Sequence, residues 1–125
     1  MIGLTLPFPP SANAYIRHAG HRHYFSKEAN AFREAVAEIV AEQKIKAPPG
    51  RLMVTIRLFA PTRRAYDIDN RVKALLDALQ HAGCFPDDEA IDELQVARGP
   101  IIKGGAAKVV ILAHTQQHPE QGALV

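Results

Sequence analysis

Residues 66–88 of the chain read YDIDNRVKALLDALQHAGCFPDD, a run with acidic residues at both ends and apolar residues between them. Asp67 and Asp69 stand at its start, and Asp87 and Asp88 stand at its end. The apolar residues recur at three- and four-residue spacing, which predicts an amphipathic helix. They are Val72, Leu75, Leu76 and Leu79. This predicted helix separates two acidic clusters along the chain.

Patterns on either side of this helix predict strands and one further helix. Alternating apolar residues predict a strand over 52–59. Ser26 is a favourable N-cap, and the helical spacing of apolar residues after it predicts a helix running to about Ile45. Residues 11–19 are predicted as a loop. Further strands are predicted at 2–6, 21–25, 91–97 and 107–113. The order β-β-α-β-α-β-β predicts an α+β fold in which two helices pack against one mixed sheet of about five strands.

Length and composition limit the architecture and the cellular setting. The 125 residues are 47% hydrophobic, which suits one domain with a core. We expect that domain over 1–115 and a flexible tail over 116–125, which is polar and contains a proline. The single cysteine, Cys84, cannot form an internal disulfide, which fits a reducing cytoplasm. The N-terminus lacks a signal-peptide pattern, and no apolar run approaches the ~20 residues needed to span a membrane.

The acidic clusters indicate a cation site, because neighbouring carboxylates repel one another unless a cation or a shared proton compensates. Mg²⁺ fits best, since it takes a few carboxylate oxygens and leaves room for phosphate and water. Asp67 and Asp69 leave the same face if the backbone is extended there. Asp88 completes the set only if the fold returns it to that pair. Lys73 and the flanking cations would hold a polyanion. Those cations are Arg63, Arg64 and Arg71.

Ordinary structural roles offer an alternative for each of these residues taken singly. Asp69 or Asn70 caps the second helix, because short polar side chains favour that position. Lys73 then pairs with Asp69 or with Asp77 at a four-residue spacing. The second acidic cluster is then a turn, where Asp is common for local reasons. Only the combination of both clusters with the adjacent arginines favours a metal site.

Other metals agree less well with the sequence. A calcium loop that opens at Asp67 needs glycine at its sixth position and glutamate at its twelfth, where the chain has Val72 and Ala78. The histidine group His18, His21 and His23 lacks a cysteine partner and helical spacing, which disfavours zinc. These histidines are expected to be solvated or to contact phosphate. Cys84 follows the helix and is expected to be a small buried residue rather than a nucleophile.

Several segments together resemble the RusA family of Holliday junction resolvases, also called crossover junction endodeoxyribonucleases. Near the start, residues 6–13 read LPFPPSAN, with an aromatic between prolines followed by Ser and Asn. In the middle, residues 63–70 read RRAYDIDN, with Lys73 three residues later. FPDD at 85–88 and KGG at 103–105 follow at the spacing typical of the family. The resemblance covers nearly the whole chain.

The resemblance implies a homodimer that cuts four-way DNA junctions with Mg²⁺, for which Mn²⁺ can substitute. It implies metal-binding carboxylates at Asp67, Asp69 and Asp88, with Asp87 as the second choice for the last, and a catalytic lysine at Lys73. It also implies DNA contacts from Arg63, Arg64, Arg71, Asn13 and Asn70. Tyr66 departs from the pattern, because an arginine or lysine is common at that position.

The working hypothesis is therefore a metal-dependent endonuclease that acts on branched double-stranded DNA and places paired symmetric nicks in a four-way junction. A non-catalytic protein that binds branched DNA is the leading alternative, because the same cations would serve it and the carboxylates would be caps and ion pairs. A small structural or interaction domain without affinity for nucleic acid is a second alternative. Neither alternative requires a metal.

Overall fold

The fold is a four-stranded mixed sheet that carries two helices on one face, with a separate two-stranded hairpin. The computed structural model describes residues 1–12, 16–19 and 22–115, and it describes side chains for all of these except 16–19, 22 and 23. The strands are β1 (Ile2–Leu6), β2 (Ile16–Ala19), β3 (Arg22–Phe25), β4 (Leu52–Phe59), β5 (Ile91–Arg98) and β6 (Ala106–Ala113). The helices are α1 (Lys27–Glu42) and α2 (Ile68–His81), and a 3-10 turn spans Asp88–Ala90.

The main sheet has the strand order β1-β6-β4-β5. β4 pairs in parallel with β5 and antiparallel with β6, which in turn pairs antiparallel with β1. A parallel pair needs a crossover connection, and α2 supplies it between β4 and β5. The start of α2 therefore follows the C-terminal end of β4, and the 3-10 turn leads into the N-terminal end of β5.

The core lies between the helices and one face of the sheet. Leu52, Val54, Ile56 and Leu58 alternate along β4, and each is at most 1% exposed. From α2, Leu75 and Leu79 are fully buried against this face and belong to the same cluster as the β4 residues. Burying a leucine side chain contributes about 1.5–3 kcal/mol to folding. The apolar stripe of α2 is thus fixed against the sheet, and its polar side faces outward.

The predicted α+β class is confirmed, with two helices on a mixed sheet. The predicted strands at 2–6, 52–59, 91–97 and 107–113 agree with the structure to within one residue at each end. The second helix begins at Ile68, so its N-cap is Asp67, and the predicted caps Asp69 and Asn70 lie inside its first turn. The first helix ends at Glu42, before the predicted Ile45, because Lys44 adopts a left-handed conformation with φ of 52°.

The hairpin is the main departure from the predicted fold. Residues 16–19, predicted as loop, form β2 and pair antiparallel with β3 in the register Ile16↔Phe25. β3 therefore takes its backbone partners from β2 and does not join the main sheet, which has four strands where about five were predicted. The predicted tail at 116–125 and Asn13 lie outside the described residues. Neither helix in the described part of the chain is long and apolar enough to cross a bilayer.

Candidate active site

The first acidic pair lies at the N-terminal end of α2. Asp67 is the N-cap, with an extended backbone (φ −94°, ψ 131°), but its side chain makes no capping hydrogen bond. Asp69 lies in the first turn, where the positive end of the helix dipole favours a carboxylate. Because the chain is already helical at Ile68, the two carboxylates do not follow the alternation of an extended strand. An N-cap aspartate that does not cap keeps its oxygens available for another partner.

A cavity of about 320 Å³ lies between α2 and β5 and carries three of the predicted site residues. Its apolar wall is formed by Ile68, Val72, Leu76 and Val96. Asp69, Lys73 and Asp88 also line it. The structure therefore brings one residue of the first acidic cluster, the lysine and one residue of the second cluster to a single groove.

Lys73 has an exposed side chain without an acidic partner among the described residues. Asp77, its alternative partner four residues later, instead pairs with Arg33 of α1 at 3.3 Å. The interpretation of Lys73 as half of a helical ion pair with Asp69 or Asp77 is therefore wrong. An unpaired ammonium beside two carboxylates remains available to an incoming anion.

The two aspartates of the second cluster have different roles. Asp87 precedes the 3-10 turn, and its Oδ1 accepts a hydrogen bond from the Glu89 backbone N–H at 3.0 Å. Asp88 is left to face the groove, with its backbone N–H donating to Gln80 Oε1 at 3.1 Å. Partial desolvation, a hydrogen bond and charge from Asp87, and the charge of Asp77 together raise the pKa of Asp88. The turn thus concentrates negative charge that a bound cation would relieve.

The length of α2 separates Asp67 from Asp88. Asp67 lies thirteen residues before Gln80, which corresponds to about 20 Å along the helix axis. The backbone of Asp88 is held by the side chain of Gln80, near the far end of the helix. Among the described residues, no three acidic, histidine or cysteine side chains come close enough to hold a metal ion. The carboxylate donors are of the type that Mg²⁺ takes, but the described part of a single chain does not bring three of them together.

A second cavity, of about 570 Å³, lies at the start of α2 and is lined partly by cations. Arg64, Asn70 and Arg71 line it together with Asp67, and Glu28 of α1 lies on its other side. Arg63 is exposed and lines neither this cavity nor the groove. The predicted DNA contacts Arg64, Arg71 and Asn70 therefore share one surface with the first aspartate.

Tyr66 is the centre of an aromatic and cationic cluster beside this cavity. Its ring meets the Phe8 ring edge to face, with centroids 5.4 Å apart. The Arg98 guanidinium lies 4.3 Å from the centroid of the Tyr66 ring, and its Nη2 donates to the Tyr66 carbonyl at 2.8 Å. Arg71 lies 5.7 Å from the same centroid, and its Nη1 donates to the Pro9 carbonyl at 2.9 Å. The LPFPP segment is therefore attached to the start of α2.

The guanidinium of Arg71 is consequently held in place by neighbouring groups, whereas the sequence predicts only a DNA contact for it. Burial lowers the pKa of Arg71, and the charge of Arg64 lowers it further, while Tyr66 has the opposite effect. Arginine nevertheless stays protonated in proteins at ordinary pH. Its buried Nε has no hydrogen-bond partner within the described structure. Arg71 combines a structural attachment to Pro9 with a place on the wall of the cavity.

Sequence reasoning missed three residues that contact the site or its supports. Arg98 stacks on Tyr66, Gln80 holds Asp88, and Arg51 contacts the 3-10 turn. Of these, only Gln80 had a usable signal, because it follows Lys73 by seven residues and so shares its helix face.

Among the other predictions, Cys84 is fully buried, as expected for a small core residue. The histidine group cannot be assessed, because His21 lies outside the described residues and the side chains of His18 and His23 are not described.

A family model and several curated proteins match this chain, and they carry the same family name. The family model for endodeoxyribonuclease RusA matches residues 7–112. The chain is 37% identical over 108 residues to a protein of Enterobacteria phage HK97 named crossover junction endodeoxyribonuclease rusA, covering 86% of this chain and 90% of that protein. It is also 37% identical over 111 residues to the Escherichia coli K12 protein of the same name, covering 86% and 91%, and to that of Enterobacteria phage 82 with the same figures.

Proposed function

Because the chain belongs to the RusA family of endodeoxyribonucleases, we propose that it resolves four-way DNA junctions by Mg²⁺-dependent hydrolysis, as a homodimer that places paired symmetric nicks. Mn²⁺ is expected to substitute for Mg²⁺. The observation that supports this proposal most directly is the groove along α2, where Asp69, Lys73 and Asp88 lie around one cavity. Two carboxylates and an unpaired lysine beside a basic surface suit a phosphodiester better than any neutral substrate.

In this proposal the acidic residues hold the cation and the basic residues hold the DNA. A bound Mg²⁺ would supply a water of lowered pKa and would offset charge on the reacting phosphate. Asp67, Asp69 and Asp88 would be its ligands. The Lys73 ammonium lies near enough to the same groove to stabilise the negative charge that develops when water attacks phosphorus and an ester oxygen leaves. The leaving oxygen takes a proton, so hydrolysis yields one phosphate monoester and one hydroxyl.

The cationic cavity at the start of α2 is proposed to hold the neighbouring phosphates. Arg64, Arg71 and Asn70 line it beside Asp67, and such contacts fix a DNA backbone without reading its sequence. The Arg98 guanidinium lies over the Tyr66 ring beside this cavity and would be a fourth polar group for phosphate. Selection of a branched substrate would then depend on the geometry of the backbone more than on base edges.

The homodimer is proposed for two independent reasons. Resolving a junction requires two opposed cuts, and a twofold dimer provides two equivalent sites. In addition, about 20 Å of helix separates Asp67 from the residue that holds Asp88, so one protomer does not bring both to the same ion. We therefore propose that each metal site takes Asp67 and Asp69 from one protomer and Asp88 from its partner. Asp69 and Asp88 of one protomer line the same cavity but would belong to different metal sites.

The test of the proposed function is cleavage of a synthetic four-way junction by the Asp69→Asn variant. We expect Mg²⁺-dependent cleavage to be abolished while junction binding in EDTA changes by less than a factor of two or three. Glu38→Gln, which neutralises an exposed acid on α1 away from both cavities, is the matched control and should cleave normally. Unchanged cleavage by Asp69→Asn would reject the assignment.

The alternative of a non-catalytic protein that binds branched DNA draws support from one observation. No three potential metal ligands converge within the described residues of a single chain. The same assay separates the two proposals, because the alternative predicts tight, salt-sensitive junction binding and no cleavage with Mg²⁺, Mn²⁺ or other divalent ions.

A further inference from the structure

The turn that presents Asp88 has no core of its own. Asp88–Ala90 is a single 3-10 turn in which no residue is buried. Ala90 is only partly buried against the core, and a segment with so few buried apolar contacts opens and shifts easily unless other bonds hold it. The placement of the Asp88 carboxylate therefore depends on hydrogen bonds that reach the turn from neighbouring elements.

Helix α2 provides one of these bonds through Gln80. The Gln80 side-chain oxygen accepts the Asp88 backbone N–H at 3.1 Å. Gln80 follows Lys73 by seven residues, which is two helical turns, so both side chains leave α2 on the same side. The helix that carries Lys73 into the groove thus also holds the backbone of Asp88.

The sheet provides the second attachment through Arg51, which directly precedes β4. Arg51 Nη2 donates to the Glu89 carbonyl at 2.5 Å, and Nη1 lies 3.2 Å from each oxygen of the Glu89 carboxylate. Its Nε donates to Asp92 Oδ1 of β5 at 2.8 Å. Exposed ion pairs of this kind contribute little to stability. Their geometry nevertheless fixes the turn relative to the first residues of β4 and β5.

We propose that Gln80 is a positioning residue for Asp88 and that Arg51 is its counterpart on the sheet side. Together they set the direction in which the Asp88 carboxylate meets a divalent cation. This inference depends on the proposed function, since it assigns Asp88 as a metal ligand. The groups behind a ligating side chain fix its orientation, and their loss typically costs 10–100-fold in metal affinity or activity. Neither residue touches the substrate in this proposal.

The experiment compares Gln80→Leu, which removes the acceptor at similar side-chain size, with Gln80→Glu, which retains an acceptor oxygen. Gln95→Leu is the matched control, because Gln95 is an exposed glutamine of β5 whose Nε2 donates to Glu93 Oε2 at 3.1 Å. Mn²⁺ binding is measured by titration calorimetry on the purified dimer without DNA. Thermal unfolding in EDTA and single-turnover cleavage of a four-way junction at saturating Mn²⁺ complete the set.

We expect Gln80→Leu to raise the Mn²⁺ dissociation constant about tenfold or more, with the melting temperature in EDTA and the dimer unchanged. Gln80→Glu should bind Mn²⁺ at least as tightly as wild type, since it keeps the bond and adds negative charge. Gln95→Leu should match wild type in every measurement. The positioning role alone would be overturned if Gln80→Leu bound Mn²⁺ as tightly as wild type. This conclusion requires that the wild-type protein cleaves junctions and that Asp88→Asn abolishes its Mn²⁺ binding. A wild-type protein that neither binds Mn²⁺ nor cleaves would overturn the proposed function as well.

Discussion

The separation of Asp67 from Asp88 along α2 predicts that two inactive variants restore each other when they share a dimer. The variants are Asp67→Asn and Asp88→Asn. If each site takes its first acidic cluster from one protomer and Asp88 from the partner, a mixed dimer has one site with both substitutions and one site with neither. If each site lies within one protomer, every site in the mixed dimer carries one substitution and none works.

The expected amount of restored nicking follows from the separation of the two clusters and from random pairing of the two variants. Gln80 follows Asp67 by thirteen residues, about 20 Å along the helix, whereas Mg²⁺ holds its oxygen ligands at about 2.1 Å. The Gln80 side chain, which holds the backbone of Asp88, is too short to bring Asp88 back to Asp67. Random exchange of equal amounts makes about half of the dimers mixed, each with one working site of two, so we expect about a quarter of wild-type nicking. The product should be a nicked junction rather than a resolved one.

The assay uses a four-way junction with one labelled strand at a time, cut under single-turnover conditions and separated on a denaturing gel. The two variants are refolded together, and differently tagged protomers confirm that mixed dimers form. A mixture of Asp67→Asn with Asp69→Asn is the control, because both substitutions fall in the same cluster and neither site of that dimer is intact. Mixed dimers of Asp67→Asn and Asp88→Asn that remain inactive would refute the shared site.

Three further predictions concern the fold and the DNA surface. Burial raises the pKa of Cys84 from 9.0 to about 11, so native protein should resist thiol reagents at pH 8, and stability should fall as pH rises from 9 towards 11 because the unfolded chain loses this proton first. Arg64→Gln should reduce the slope of log affinity for junction DNA against log salt by about 1, measured by fluorescence anisotropy, without changing the melting temperature. Gly105→Ala should lower the free energy of unfolding by more than about 1 kcal/mol in urea titrations, because φ is 69° and the added Cβ would lie 2.9 Å from Phe8 Cβ.

The elements that the sequence predicted well are those with a regular series of apolar side chains that face the core. β4 alternates between a buried and an outer face, and α2 carries an unbroken apolar stripe, so local periodicity was sufficient for both. The hairpin strand β2 is short, and its partner is only its neighbour in the chain, so no core-facing pattern identified it. Periodicity also placed Lys73 four residues after Asp69 on α2, but Gln80, seven residues after Lys73, was not singled out.

What the sequence could not give is the distance between segments. The position of Asp88 depends on the crossover from β4 to β5, on the length of α2 and on the hydrogen bonds from Gln80 and Arg51. None of these has a local pattern. The same limit applies to Arg98, whose position over Tyr66 arises because β5 runs parallel to β4 and ends beside the loop that enters α2.

The crossover topology also explains why a second copy suits this site. In a right-handed β-α-β unit the loops before and after the helix lie at opposite ends of the parallel strands, so residues flanking the helix are kept apart by its full length. Asp67 and the turn of Asp88 are such a pair, at opposite ends of α2. A twofold axis that pairs the start of one α2 with the turn of its partner brings the two acidic clusters together twice. The same operation creates two equivalent sites for the two strands of a junction, so metal binding, dimer formation and paired cutting would have one geometric cause.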